Sequence, residues 1–153
     1  MFKNIHLNDG SCNHKKNEGV KVIARAKQPK TIDPSHSQIC KAIVDYMRSK
    51  HPDKLFIHIP NEGKRSSQQG KKLKDEGLLP GAFDYLLCHV KVIQLVDDTF
   101  DYMPGVFIEV KTKKDKLSKT QSEFMERVLK AHYSVMVVND IDEFIREIEE
   151  YCK

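Results

Sequence analysis

The segment Phe107-Ile-Glu-Val-Lys111 sets a carboxylate and an ammonium group two residues apart at the end of an otherwise apolar run. On a β-strand side chains alternate, so Glu109 and Lys111 would project from one face, roughly 7 Å apart along the strand. A charged pair on a buried strand needs a reason, because an ionised group loses its solvation there. Upstream, Asp84 follows a Pro80-Gly81 turn and opens a second apolar stretch. If that stretch lies beside the first, Asp84 and Glu109 converge next to Lys111. Two carboxylates repel at short range, and a cation between them relieves the repulsion. Oxygen-only ligands select a hard ion, Mg2+ or Mn2+, over zinc, and the backbone carbonyl of Val110 is a candidate third ligand. Such an ion can polarise a scissile phosphate and acidify an attacking water. Lys111 would orient that water or stabilise charge on the phosphate oxygens, which describes phosphodiester hydrolysis without a covalent intermediate. An isolated Glu-x-Lys is more often a surface pair at a strand end, so the flanking residues decide.

Those acids need a scaffold, and the chain supplies signals for one. At Asp33-Pro34-Ser35 a capping residue, Asp33, precedes a helix-compatible proline and opens a helix with apolar positions at Ile39, Ile43, Val44 and Met47, ending near His51-Pro52. Leu55–Ile59 predicts a short strand. Residues 61–81 are rich in Gly, Ser and Lys and predict a long connection, a length that in a compact domain is usually functional or disordered. Residues 82–96 and 105–110 are apolar and β-branched, with Asp97-Asp98 at a turn, and predict a hairpin. Leu117-Ser118 precedes a helix carrying Phe124, Val128 and Leu129, Ser134–Val138 predicts a buried strand, and a last helix spans about 141–151 with Phe144, Ile145 and Ile148 as its core stripe. The expected fold class is α/β, a mixed sheet flanked by helices in the order α-β-β-β-α-β-α.

Composition narrows the partner. At 153 residues with 39% hydrophobic and 31% charged content, one domain with a solvated surface is expected. Residues 1–33 predict a basic arm with one short alternating stretch at 20–24, and 34–153 the folded domain. No apolar run reaches the ~18 residues of a membrane span and none near the start suits a signal peptide, so a cytoplasmic location is expected. Cys12, Cys40, Cys88 and Cys152 form no Cys-x-x-Cys pair and predict reduced thiols. The net charge of +4 is uneven, with seven basic and two acidic residues in 1–30 but two basic and six acidic in 140–153. No phosphate-binding Gly-x-x-x-x-Gly-Lys-Ser/Thr loop exists, which argues against nucleotide hydrolysis by that route.

Five ordered pieces, His58-Ile-Pro-Asn-Glu-Gly63, Gly77-Leu-Leu-Pro-Gly-Ala-Phe-Asp84, Phe107-Ile-Glu-Val-Lys-Thr112, Leu117-Ser-Lys-Thr-Gln121 and Tyr133-Ser-Val-Met-Val-Val138, resemble the VRR-NUC branch of the PD-(D/E)XK nuclease superfamily. The resemblance covers about residues 35–151. It implies a restriction-endonuclease-like core, Mg2+ or Mn2+ dependence, cleavage of structured DNA and, by likeness to Holliday-junction resolvases, a homodimer. It assigns metal binding to Asp84 and Glu109, the catalytic lysine to Lys111, the glutamine of the following helix to Gln121, and a position near the DNA or the active site to Asn61. Two departures stand out. Phe83 replaces the proline that often precedes the aspartate, and Gln38 aligns where the first helix commonly brings a glutamate. A neutral amide can hold only a metal-coordinated water, which weakens any second ion.

Around the acids lie two basic clusters, Lys64, Arg65, Lys71, Lys72 and Lys74 in the long connection, and Lys113, Lys114, Lys116 and Lys119 after the strand. They predict salt-sensitive, sequence-independent grip on the DNA backbone. Asp97-Asp98-Thr-Phe-Asp101 suits a turn better than a metal site. Cys12-x-His14 is too little for a site, and His58, His89 and His132 read as structural. The leading expectation is a divalent-metal endonuclease acting on branched DNA. The alternatives are a structured-DNA-binding protein with weak or no catalysis, motivated by Gln38, and a restriction or defence nuclease.

Overall fold

The computed structural model describes residues 33–61 and 66–153. The expected arm, apart from Asp33, lies outside the described residues, as do Cys12, His14, Lys64 and Arg65. The elements are α1 (His36–Lys50), β1 (Leu55–His58), α2 (Ser67–Asp75), β2 (Tyr85–Cys88), β3 (Lys91–Gln94), β4 (Phe100–Met103), β5 (Val106–Val110), α3 (Lys119–Lys130), β6 (Ser134–Val138) and α4 (Ile141–Tyr151).

Helix starts are set by hydroxyl and carboxylate caps. Ser35, Ser66 and Ser118 each accept a bond from the backbone N–H three residues on, and the Gln at that position bonds back to the cap, closing a capping box. Asp140 caps α4 in the same sense through Glu143 N. The cap of α1 is thus Ser35, not Asp33, because the capping residue must stand immediately before the first helical turn. His132, with φ 62°, follows the end of α3 in the left-handed region.

The main sheet runs β1-β2-β5-β6, antiparallel except for the β5–β6 pair, which is parallel because α3 carries the chain back across the sheet. Alternation along β5 sends Val106, Ile108 and Val110 to one face, where they meet Ile39, Ile43 and Met47 of α1 and Phe144 and Ile148 of α4. Phe107 faces the other way, toward Phe124 and Val128 of α3. The result is a mixed sheet with helices on both faces, the fold class expected of the restriction-endonuclease-like core. Phe144 and Ile148 are fully buried, each contributing about 1.5–3 kcal/mol through the apolar surface removed from water. At the junction of α1 and α4, Tyr46 Oη donates to Glu149 Oε1 at 2.6 Å and His51 Nε2 lies 2.8 Å from the same oxygen. Those bonds hold the Glu149 carboxyl below its usual range and push the Tyr46 phenol up to about 12.

Two expectations fail. The connection at 61–81 contains α2, a helix without a single buried residue, so the apolar stripe that announces a helix was missing. The expected single hairpin is two structures. β2 pairs with β5 in the main sheet, while β3 and β4 form a separate two-stranded ribbon inserted between them. Past Cys88 the chain has run beyond the ends of both neighbours, Leu55 and Val106, and pairs with its own return. The Asp97-Asp98 turn caps that ribbon, where Asp97 Oδ1 accepts from Thr99 N at 3.2 Å and Thr99 Oγ1 at 2.6 Å and Asp98 takes φ 60°. Cys88 and Cys152 are free thiols. Among the described residues no helix is long and apolar enough to cross a membrane.

Candidate active site

The β2–β5 register pairs Tyr85 with Ile108, so one step further puts Asp84 opposite Glu109 on the face turned toward α3. There the ladder ends. Instead of a strand carbonyl, the N–H of Val110 finds Asp84 Oδ2 at 2.8 Å. That bond fixes the aspartate across the two strand ends and satisfies a buried backbone donor. Asp84 is 5% exposed and Glu109 1%, so both carboxyl groups sit where an unpaired charge would be costly.

Glu109 meets its counter-charge at once. Lys111 Nζ lies 2.8 Å from Glu109 Oε1 and donates to Gln121 Oε1 at 3.0 Å. Gln121 Nε2 in turn donates to Glu109 Oε1. Gln121 therefore does two jobs, since its Oε1 also accepts from Ser118 N at 2.9 Å in the box that starts α3. The helix cap and the charged cluster share one side chain.

Position of the Asp84 turn depends on Gly81. Its φ is +80°, and a Cβ there would lie 2.3 Å from Thr120 O and 2.8 Å from Gln121 N. Only a bare α-carbon lets the turn press against the start of α3. Asn61 Nδ2 ties the same turn by donating to Leu79 O and Ala82 O, both at 3.1 Å. Phe83, where the resemblance leads one to expect proline, is fully buried against Phe124 at 5.3 Å between ring centroids and anchors the turn by packing. Gly81→Ala is expected to destabilise the protein by about 2–4 kcal/mol, from left-handed strain and backbone overlap together. Thermal or urea unfolding checks this, and an unchanged midpoint would refute the close approach.

Of the residues singled out from the sequence, Asp84, Glu109, Val110, Lys111 and Gln121 are brought together. Asn61 lies beside them, lining a hollow with Gly81, Asp84, Ser118 and Gln121. Gln38 is taken up by its own helix cap. It is exposed, and its Oε1 accepts from Ser35 N and Oγ at 2.9 and 2.8 Å in the capping box of α1. From α1, His36 reaches the acids, with Nε2 3.6 Å from Asp84 Oδ2. The sequence signal for it was the Ser35 cap, which makes His36 the first helical residue. Lys71, Lys72 and Lys74 are exposed on α2, where Lys72 pairs with Glu76 at 3.7 Å. Lys113 pairs with Asp33 at 3.3 Å and Lys119 with Glu123 at 3.8 Å, while Lys114 and Lys116 stand exposed in the β5–α3 loop. Exposed pairs of this kind are worth little. In the same loop the Thr112 hydroxyl donates to Asp115 and holds its carboxyl below the usual range.

The donor set suits a hard divalent ion. It offers carboxylate and carbonyl oxygens, and among the described residues no three His, Cys, Asp or Glu side chains gather into a metal cage. Mg2+ in phosphate chemistry needs one or two carboxylates, with water and substrate oxygens completing the shell. Both contacts of Asp84 given above use Oδ2, so Oδ1 is spent on neither.

No curated protein matches the chain. Among solved structures, one described as a VRR-NUC domain protein superposes with a TM-score of 0.63 at 18% identity, over 78% of this chain and 89% of that one, a likeness of fold. The family model of the VRR-NUC domain matches residues 35–140, a span that contains both acids, the lysine and the glutamine. With that match over most of its length, the chain belongs to the VRR-NUC domain family, a nuclease family of the PD-(D/E)XK type.

Proposed function

We propose that the protein is a divalent-metal-dependent DNA endonuclease that hydrolyses phosphodiester bonds in branched or otherwise structured DNA, with Mg2+ or Mn2+ as its cofactor. The observation that carries this reading is the placement of Asp84 opposite Glu109 on neighbouring strand ends, with Lys111 salt-bridged to Glu109 at 2.8 Å. Asp84 and Glu109 would hold the ion, with the Val110 carbonyl as a third oxygen. When bound, the ion supplies Lewis-acid activation of the phosphate and of the attacking water. Lys111 orients that water or stabilises charge on the phosphate oxygens, and Gln121 holds the ammonium in register with Glu109. Asn61 acts by fixing the Asp84 turn. The exposed lysines of α2 and of the β5–α3 loop, with Lys64 and Arg65, serve as backbone contacts that position DNA without reading sequence. A homodimer would set two such sites across a four-way junction, and the cytoplasm is the expected compartment.

One observation favours a second reading, a structured-DNA-binding protein with little catalysis. α1 offers His36 at the acids, and Gln38 is committed to its own helix cap. Purified protein incubated with labelled four-way junction, flap and linear duplex, in Mg2+, Mn2+ or EDTA, separates the two. Metal-dependent cleavage of the branched substrates is the expected result. A mobility shift with no cleavage at any metal would establish the binder, and cutting of unbranched duplex at one defined sequence would point to a restriction role.

A further inference from the structure

Next to Asp84 the surface dips into a hollow of about 510 Å³ between α1 and the edge strand β1, walled by His36, Lys41 and Arg48 from the helix and His58 from the strand. It adjoins a second hollow of about 200 Å³, the two sharing Val44, Arg48, His58 and Tyr85. Helical spacing makes the wall continuous. His36, Cys40, Val44 and Arg48 recur every four residues and so form one stripe along α1. From His36 to Arg48 the stripe covers about 18 Å, at ~1.5 Å per residue step. The stripe begins at the acids, where His36 Nε2 lies 3.6 Å from Asp84 Oδ2.

Two chemistries meet in this trough. Lys41 is paired with Asp45 at 2.6 Å, so its positive charge rests mainly on Arg48 and, in the second hollow, Lys54. The floor is aromatic. Phe56 stacks on Tyr85 with ring centroids 4.9 Å apart, and His58 tilts against the same ring at 5.2 Å. Tyr85 is buried beneath them, whereas Phe56 is half-buried and His58 exposed. Cations beside an aromatic floor with one ring exposed, that of His58, are a combination that binds unpaired nucleotides, with the backbone following the charge and bases stacking on the rings. Size agrees with that occupant. Hollows of a few hundred Å³ take a ligand of drug size, whereas a duplex has a major groove alone about 12 Å wide.

We infer that this trough holds an unpaired DNA strand leading away from the scissile phosphate, with Arg48 against its backbone and His58 and Phe56 beneath its bases. The inference rests on the nuclease reading of the Asp84 site and adds to it a substrate feature, a single-stranded flank. In the sequence His58 read as structural and Arg48 and Phe56 carried no signal, because the trough exists only where α1 is laid along β1.

The test measures binding without metal. Fluorescence anisotropy of a labelled 12-nucleotide oligo-dT and a labelled 12-base-pair duplex, in EDTA, is compared for wild type, Arg48→Ala and His58→Ala. Each substitution is expected to weaken the single strand about tenfold, in line with the loss of one stacked base or backbone contact, and to change duplex affinity less than twofold. Unchanged single-strand affinity, or equal weakening of both probes, would overturn the inference. Both positions are exposed, and circular dichroism melting checks the fold. If His58→Ala melts early, Arg48→Ala and His58→Gln decide. Because nothing is cleaved in this assay, an inactive but strand-selective protein would refute the nuclease reading and leave the trough assignment standing.

Discussion

Lys111→Ala is expected to lower DNA cleavage about 10²–10³-fold, the scale of removing one preorganised charge from a transition state, while four-way-junction binding stays within about threefold. The separation follows from where the ammonium sits. Lys111 is 14% exposed and held between Glu109 Oε1 and Gln121 Oε1, so it adds little to a phosphate-gripping surface supplied by exposed lysines. Its loss also removes the ammonium from a carboxylate that is 1% exposed, which costs about 3 kcal/mol. The variant should therefore melt earlier than wild type in EDTA and regain part of the difference in Mn2+, where the ion replaces the missing charge. Cleavage assays, binding assays and melting with and without metal read all three effects. Parallel loss of binding and cleavage would reassign Lys111 to affinity.

Glu109→Gln isolates charge from shape. The amide keeps the volume and an oxygen acceptor for Lys111, but it cannot neutralise a divalent ion. For wild type, Mn2+ at about 100 times its dissociation constant should raise stability by about 2.7 kcal/mol. In Glu109→Gln that metal-dependent rise should vanish, and cleavage should fall at least ~10²-fold because the ion no longer polarises the phosphate. A variant that keeps the full Mn2+-dependent rise in melting temperature would remove Glu109 from the metal shell. Retained cleavage would remove it from the chemistry. The two readouts fail separately, which distinguishes a misplaced ligand from a mistaken reaction.

Much of the scaffold was legible because its signals are local. Ser118 followed three residues later by Gln121 marks the start of α3, and Phe144, Ile145 and Ile148 mark the buried stripe of α4, which spans Ile141–Tyr151 as expected. The β5 pattern was legible for the same reason, since a strand that alternates Val106, Ile108 and Val110 inward must turn Glu109 and Lys111 to the other face. α2 was not legible, because Ser67–Asp75 buries nothing and its helix rests on a capping box. Nor was the break at Cys88, since local β-propensity carries no information about where neighbouring strands end.

The difference between Gln38 and His36 shows where sequence reading stops. Both residues sit in the first turn of α1, and alignment of motifs favours Gln38. Which of them meets Asp84 depends on the rotation of the helix against the strand ends, set by Ile39, Ile43 and Met47 packing on the sheet. By itself the sequence determined the alternation that pairs Glu109 with Lys111, the cap that starts α3 and the residue types suited to a hard ion. Only the tertiary structure decided that Asp84 stands across from Glu109, that Gln121 bridges the cluster, that Gly81 must be bare and that a trough opens beside α1. Those features come from strand register, helix rotation and close approach between distant segments, which long-range packing fixes and short-range pattern does not.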